Sequence, residues 1–302
     1  MIASASTAPV DIEIRRNIRF DFTDSPAVHH RNNPYLSHFW NALSVMAPST
    51  ERILMRVARD VRDEIRDERL LKDLKALVAQ EALHTREHRR FNARLLELGY
   101  DIEGVNAELD RIFDDYVARV DGPAAVALMI AGEHLIYAMS HALLEDPRVT
   151  EGMDAEVKRL FLWHAAEEME HQSVAHDVYV HLFGDGPSHR LVRARAFADA
   201  ARLLLGAIYD VMKRLLAGES DRAVAQRLEL LRFMAISPGY GWRLGRQAFR
   251  YFHPGFAPWK DTGDLELIRV ALGAVNRPKE GDPKTVRVLP LEPVTARLAS
   301  LR

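Results

Sequence analysis

The nine residues from Trp163 to His171 carry imidazole and carboxylate groups, the side-chain types that bind metal ions. They lie in a run over 153–183 that has neither glycine nor proline, which predicts one long helix. At about 100° of rotation per residue, His164, Glu168 and His171 project within about 60° of one another. One helical face therefore offers two imidazoles and a carboxylate to a cation. By composition alone, such a triplet is expected in only about one chain of this kind in twenty-five.

A second stretch, Gln80 to His88, repeats the pattern on a helix predicted over 70–98. Glu81, His84 and His88 share one face of that helix. The two stretches together indicate two helices that face a common site.

Two lone glutamates supply partners for these stretches. If consecutive helices form antiparallel hairpins, residues at one level lie equally far from the turn. The midpoint of Glu51 and Glu81 falls in a charged stretch that reads as a turn, and the midpoint of Glu133 and Glu168 falls in a second turn at 150–151. Each hairpin thus places a lone glutamate opposite a Glu-x-x-His. This pattern predicts an all-α, ferritin-like four-helix bundle with a dinuclear metal site and additional C-terminal helices.

Composition limits the classes of function. The chain has 302 residues, 48% hydrophobic and 28% charged, which is enough to bury a sizeable core. A net charge of -2 and the lack of a basic run with aromatics argue against nucleic acid as a partner. With no cysteine, disulfides, thiolate nucleophiles and cysteine metal sites are excluded. Any metal must be held by histidine and carboxylates.

The expected location is the cytoplasm. The first seven residues lack the basic and apolar regions of a secretory signal. No stretch of about 18 uncharged apolar residues occurs, so we expect no membrane span.

Four units are predicted along the chain: a wrapping segment over 1–35, the metal-binding bundle over 36–184, C-terminal helices over 185–275 and a loosely ordered tail over 276–302. Pro48 is expected to kink or restart the first helix, with Ser49 or Thr50 as the new cap. A connecting helix over 105–120 precedes the third bundle helix, for which Asp121-Gly122-Pro123 is the start signal. The stretches 238–242 and 252–259 are expected to be aromatic loops.

The candidate metal ligands are eight side chains, Glu51, Glu81, His84, Glu133, His164, Glu168, His171 and His88. Four carboxylates would offset two divalent cations, and the ligand types favour iron, then manganese, over zinc. Several residues keep alternatives. Glu51 could be a helix N-terminal charge, whereas His164 and His88 could be ligands, supporting hydrogen-bond partners or packed side chains. Glu167 and Tyr137 are candidates for groups that support the ligands, although a packed Tyr137 is favoured.

The motif layout over roughly 30–260 resembles the bacterial family described as predicted metal-dependent hydrolases. The resemblance rests on Pro-x-x-Glu at 48–51, Gln-Glu-x-x-His-x-x-x-His at 80–88, Glu-His at 133–134 and Trp-His-x-x-Glu-Glu-x-Glu-His at 163–171. It implies a metal-dependent enzyme.

The ligand pattern alone is also similar to that of the di-iron arylamine N-oxygenases, whose additional histidine corresponds to His164. That resemblance implies a seven-ligand site formed by Glu51, Glu81, His84, Glu133, His164, Glu168 and His171. His88 is not part of the oxygenase pattern.

Three functions remain open at this point. The first is a di-iron enzyme that activates dioxygen and oxidises a small apolar molecule, with an external electron donor. The second is dinuclear metal-dependent hydrolysis, and the third is a metal-binding bundle without turnover. A homodimer is compatible with all three.

Overall fold

The computed structural model describes residues 5–276 except 121, 220–222, 254 and 261–262. No β-strand occurs among them, so the predicted all-α fold is confirmed. The α-helices are α1 (Pro34–Val61), α2 (Glu68–Glu97), α3 (Ile102–Val117), α4 (Gly122–Leu144), α5 (Ala155–Glu170), α6 (Val174–Phe183), α7 (Pro187–Leu215), α8 (Ala223–Ala235), α9 (Tyr240–Phe249) and α10 (Asp264–Val275).

The four-helix bundle consists of two hairpins, α1 with α2 and α4 with α5. The first hairpin turns through a 3₁₀ segment at Arg62–Glu64 and the second through one at Pro147–Thr150, which confirms both predicted turns. Side-chain caps start the helices after these turns. The carboxylate of Asp67 accepts the N–H of Leu70 before α2, and Asp154 caps α5 in the same way.

α1 continues through Pro48, although proline cannot donate to the carbonyl one turn earlier. That carbonyl belongs to Ser44, and it accepts a hydrogen bond from Asn92 Nδ2 on α2 at 3.0 Å. A side chain from the neighbouring helix thus replaces the missing backbone donor.

The expected cap at Ser49 or Thr50 is wrong because the helix does not restart there. The Thr50 hydroxyl instead donates back to the carbonyls of Met46 and Ala47, at 3.2 and 3.0 Å. This bond pattern is common for threonine inside a helix.

The single helix expected over 153–183 is also wrong, since α5 and α6 are separated by 171–173. His171 is the C-cap residue of α5, with φ −103° and ψ 14°. Its N–H makes a long hydrogen bond of 3.4 Å to the Glu167 carbonyl, and its own carbonyl accepts from the Val174 N–H at 3.0 Å. The break occurs without glycine or proline, at a histidine whose ring is held by buried carboxylates.

The C-terminal helices pack on the bundle. α7 lies against α1 and α4, α9 against α4, and α10 against α5. The loop expected over 238–242 is wrong from Tyr240 onward, because α9 begins there after Gly239 in a left-handed conformation (φ 76°). Gly241 and Gly245 lower the helix propensity of this stretch, so packing on α4 and not propensity stabilises it. The second expected loop lies between two 3₁₀ segments that overlap its ends, Arg250–Phe252 and Pro258–Lys260.

The N-terminal segment runs along the bundle before α1. Ile18, Phe20 and Phe22, which alternate along this segment, are buried, yet no strand forms at these described positions. The predicted division of the chain into four units stays a prediction. The tail expected to be loose lies outside the described residues beyond Asn276.

Among the described residues, only α4 is long and apolar enough to cross a membrane, with a mean hydropathy of 1.3 over 18 residues. Core helices of globular proteins share these properties. α4 packs against α5, α7 and α9, and it carries the buried Glu133 and His134. It is therefore a core helix, and a membrane span is not supported.

Candidate metal centre

The bundle helices bring the eight predicted side chains into one cluster, in which all but the 13% exposed His164 are buried: Glu51 from α1, Glu81, His84 and His88 from α2, Glu133 from α4, and His164, Glu168 and His171 from α5 and its cap. Two sets within it have potential ligand atoms within 4.8 Å of one another. The inner group comprises Glu81, His84, Glu168 and His171, and the cavity-side group comprises Glu51, His88 and His164.

Glu168 lies between the two groups. Its Oε1 is 3.3 Å from His84 Nδ1 and 2.7 Å from His164 Nε2. Its Oε2 is 3.8 Å from His171 Nε2. One carboxylate thus faces imidazoles of both groups, the position a bridging ligand would occupy.

Glu81 and Glu133 lie on two sides of His171. Glu81 Oε1 is 3.2 Å from His171 Nε2, and Glu133 Oε2 is 3.0 Å from Nδ1 of the same ring. Glu81 Oε1 is also 3.7 Å from His84 Nδ1, so it connects the α2 and α5 histidines.

Glu51 belongs to the cavity-side group. Its Oε1 is 4.0 Å from His164 Nε2, while its Oε2 accepts the Thr85 hydroxyl at 2.5 Å. The alternative that Glu51 is a helix N-terminal charge is wrong, because it is buried in the middle of α1.

Several buried atoms of the cluster form no hydrogen bond of normal geometry, although other cluster atoms lie within 4 Å of some of them. They are Glu51 Oε1, both carboxylate oxygens of Glu81, Glu133 Oε1, Glu168 Oε2, His84 Nδ1 and His171 Nε2. A buried unpaired carboxylate costs several kcal/mol, and nearly all buried polar groups in proteins have partners. Oxygen and imidazole nitrogen atoms that converge in this way fit divalent cations.

Burial perturbs the carboxyl groups strongly. It raises the pKa of Glu51 well above its ordinary value, and the charge of Glu81 adds to the effect. Burial also raises the pKa of Glu133 to about 7, although the neighbouring His171 opposes it. Without a metal, these groups tend to retain protons where a cation would otherwise supply positive charge.

The histidines divide into two kinds. Burial lowers the pKa of His84, but the adjacent carboxylates of Glu167 and Glu168 outweigh it and raise that pKa well above its ordinary value. Burial lowers the pKa of His88 well below its ordinary value, and the neighbouring His164 adds to this. The pKa of His164 is also lowered, chiefly by burial.

A charged network supports the inner group. Glu167 Oε2 lies 3.1 Å from His84 Nε2, which leaves Nδ1 of that ring to face the cluster. Arg15 donates to Glu167 at 3.0 Å and binds Glu170 through two nitrogens, at 2.7 and 2.5 Å. Gln80 Nε2 also donates to Glu170, at 2.9 Å. Glu167 therefore orients a candidate ligand and is itself held by an arginine from the N-terminal segment.

An apolar cavity of about 150 Å³ adjoins the cluster, and Glu51, His88 and His164 line it on that side. Its other walls include Trp40, Met46, Phe113, Leu135, Phe161 and Leu204. In another protein, an apolar cavity of about this volume stays dry and binds benzene, so a molecule of that size would fit here.

Tyr137 lies outside the cluster contacts, because its hydroxyl donates to Asp264 at 3.0 Å. Sequence reasoning missed Arg15, Glu170 and Gln80. Glu170 and Gln80 had a weak signal, since Glu170 lies inside one Glu-x-x-His motif and Gln80 directly precedes the other, whereas nothing near Arg15 in the sequence indicates its role.

The family model described as "Predicted metal-dependent hydrolase" matches residues 14–262. The chain belongs to this family. The match confirms the resemblance found in the motifs, and it includes all eight residues of the cluster. The family's description indicates an enzyme that depends on a metal ion. No curated protein and no solved structure matches the chain.

Proposed function

We propose that the protein is a dinuclear metal-dependent enzyme that acts on a small apolar molecule. The observation that carries the proposal is the set of partnerless carboxylate and imidazole atoms beside an apolar cavity. The proposed ligands are Glu51, Glu81, His84, Glu133, His164, Glu168 and His171. Four carboxylates neutralise two divalent ions, which removes the cost of burying them unpaired.

The ligand types favour iron or manganese. Zinc in proteins usually takes four ligands, often with thiolate, whereas carboxylate-rich sites with imidazole suit iron and manganese. The chain contains no cysteine. Iron is the first choice, manganese the second, and zinc is less favoured.

Hydrolysis is the reaction that the family description supports. Two bound ions would supply Lewis-acid activation of water and of the scissile group. The chain would hold the apolar part of the substrate against Phe161 and Leu135 and keep bulk water away from the cluster. Thr85 would fix the Glu51 carboxylate at the cavity.

Dioxygen activation is the second candidate. Four glutamates on four helices beside an apolar cavity form the arrangement of carboxylate di-iron proteins. Iron held by these residues would pass electrons to dioxygen, and those electrons would come from the bound molecule, which is oxidised, and from an external donor. The cavity walls would restrict solvent access to the site.

The two reactions are separated by one experiment. The metal-free protein is loaded anaerobically with Mn²⁺ or Fe²⁺ and assayed for p-nitrophenyl butyrate hydrolysis without reductant, then for oxygen consumption with Fe²⁺ and dithionite-reduced ferredoxin. Hydrolysis by the Mn²⁺-loaded protein supports the first candidate. Oxygen uptake that requires the Fe²⁺-loaded protein, with no hydrolysis by either form, supports the second. Uptake of no metal contradicts both.

Glu81→Gln and Glu87→Gln form a matched pair for this assay. Both residues are buried glutamates of α2, but Glu87 is paired with Arg86 and Arg90 outside the cluster. Glu81→Gln is expected to lose metal and activity, and Glu87→Gln to keep two metals per chain. Equal metal content in both variants would contradict the proposed site. The third function, a metal-binding bundle without turnover, would show bound metal and neither activity. The homodimer and the cytoplasmic location stay predictions.

A further inference from the structure

His88 and His164 face each other through ring nitrogens at hydrogen-bond distance, so the protonation of the two rings must be compatible. His88 Nε2 lies 2.5 Å from His164 Nδ1, and a neutral imidazole carries only one N–H. One nitrogen must donate and the other accept, unless both bind the same cation. The hydrogen bonds behind His88 decide between these states.

The direction of the bonds is fixed at the backbone carbonyl of Ser44, which can only accept. Asn92 Nδ2 donates to it at 3.0 Å, the position left open because Pro48 has no N–H. The amide oxygen Asn92 Oδ1 must then be the atom that faces the Ser44 hydroxyl, 2.9 Å away. The Ser44 hydroxyl gives its single proton to that oxygen.

The same direction continues through both rings. Ser44 Oγ has no second proton, so at 2.8 Å it accepts from His88 Nδ1–H. Neutral His88 then has a bare Nε2, which accepts from His164 Nδ1–H. Ser44, His88 and Asn92 are all buried, so water does not readily replace any of these bonds.

This chain of hydrogen bonds from His164 through His88 and Ser44 to Asn92, here called the relay, leaves His164 Nε2 without a proton. That nitrogen lies 2.7 Å from Glu168 Oε1 and 4.0 Å from Glu51 Oε1. A proton shared with Glu168 would satisfy this lone pair but would leave the buried Glu51 Oε1 without a partner, whereas a divalent cation bound by all three side chains satisfies every one of these atoms. We propose that His164 binds metal through Nε2, and that His88 is a positioning residue that fixes the tautomer and orientation of His164. This inference rests on the metal binding proposed above, and it gives a supporting role to His88, the one of the eight candidates that is not among the seven proposed ligands.

The direct test is a crystal structure of the Mn²⁺-loaded protein with anomalous data at the manganese edge. Manganese is expected within coordination distance of His164 Nε2, with His88 Nε2 hydrogen-bonded to His164 and outside coordination distance. Coordination of manganese by His88 would overturn the inference and leave the proposed function intact. A wild-type protein that binds no manganese would overturn both.

Variants give a second readout, the stoichiometry and affinity of Mn²⁺ measured by elemental analysis and titration. His88→Gln keeps an acceptor for His164 and a donor for Ser44, so it is expected to bind two ions with at most about 10-fold weaker affinity. Ser44→Ala, which breaks the relay beyond His88, is expected to bind two ions about 10- to 100-fold more weakly.

His29→Gln is the control, because His29 is a buried histidine bonded to Asn41 and outside the cluster. It is expected to match the wild-type affinity. If His88→Gln retains only one ion, as a lost ligand predicts, the positioning role is wrong. Wild-type affinity in Ser44→Ala would also contradict the relay.

Discussion

The two sides of the cluster are supported by different kinds of side chain. The inner group is backed by charge, since Arg15 pairs with Glu167 and Glu170 behind His84. The cavity-side group is backed by neutral donors and acceptors, the Ser44 hydroxyl and the Asn92 amide behind His88. Both supports are buried, so each is protected from exchange with water.

The difference indicates which side is suited to reaction. A carboxylate partner makes an imidazole a stronger ligand and holds it firmly, and the inner group is closed by the N-terminal segment. The other side combines neutral support with the apolar cavity, where Glu51 and His164 meet the space for a substrate. We infer that the inner side chiefly holds metal and that the cavity side is where a substrate approaches it.

Glu168→Ala should have the largest effect, because this carboxylate faces both groups. Loss of a shared ligand is expected to abolish binding of both ions, measured as metal per chain after anaerobic loading with Mn²⁺. The Glu133 carboxylate pairs with His171 on one side of the cluster, so Glu133→Ala should retain at least one ion. Two ions bound by Glu168→Ala would show that the two sides do not share this ligand.

Arg15→Met tests the charged side. Removing one partner of a buried ion pair costs about 3–5 kcal/mol, since the remaining carboxylates stay buried without compensation. The free energy of unfolding in urea is expected to fall by about that amount, and Mn²⁺ affinity with it. Arg16→Met, on the exposed neighbour, should change the free energy by less than about 0.5 kcal/mol. Equal stability of the two variants would remove the argument for a charged support.

The core of this site could be predicted because helical spacing is local. Glu81 and His84, or Glu168 and His171, are three residues apart, so their common projection follows from helix geometry alone. Glu133 was found from the position of a turn marked by proline and glycine. These inferences need no knowledge of how the helices pack.

The supports could not be predicted, because they depend on contacts between distant parts of the chain. Arg15 meets residues of α5 more than 150 positions later. Asn92 supports the site because the packing of α1 on α2 brings it to both the hydroxyl and the carbonyl of Ser44. The break at His171 has no local signal either, since buried carboxylates and not a helix-breaking residue hold the ring. Interactions of this kind require the packed structure.

Ala200→Phe tests the cavity side with the smallest expected effect. Ala200 on α7 is buried and lines the cavity, so a phenyl ring there should occupy part of the space that Met46 and Met139 also face. Toluene binding, followed by the methionine methyl resonances in NMR spectra, is expected to weaken about 10-fold, or about 1.4 kcal/mol. Ala198→Phe, on the exposed face of the same helix, should bind toluene as the wild type does. Both variants should keep two ions per chain, because neither position contacts the cluster; metal loss in Ala200→Phe would mean that the cavity and the metal ligands are not separable as described.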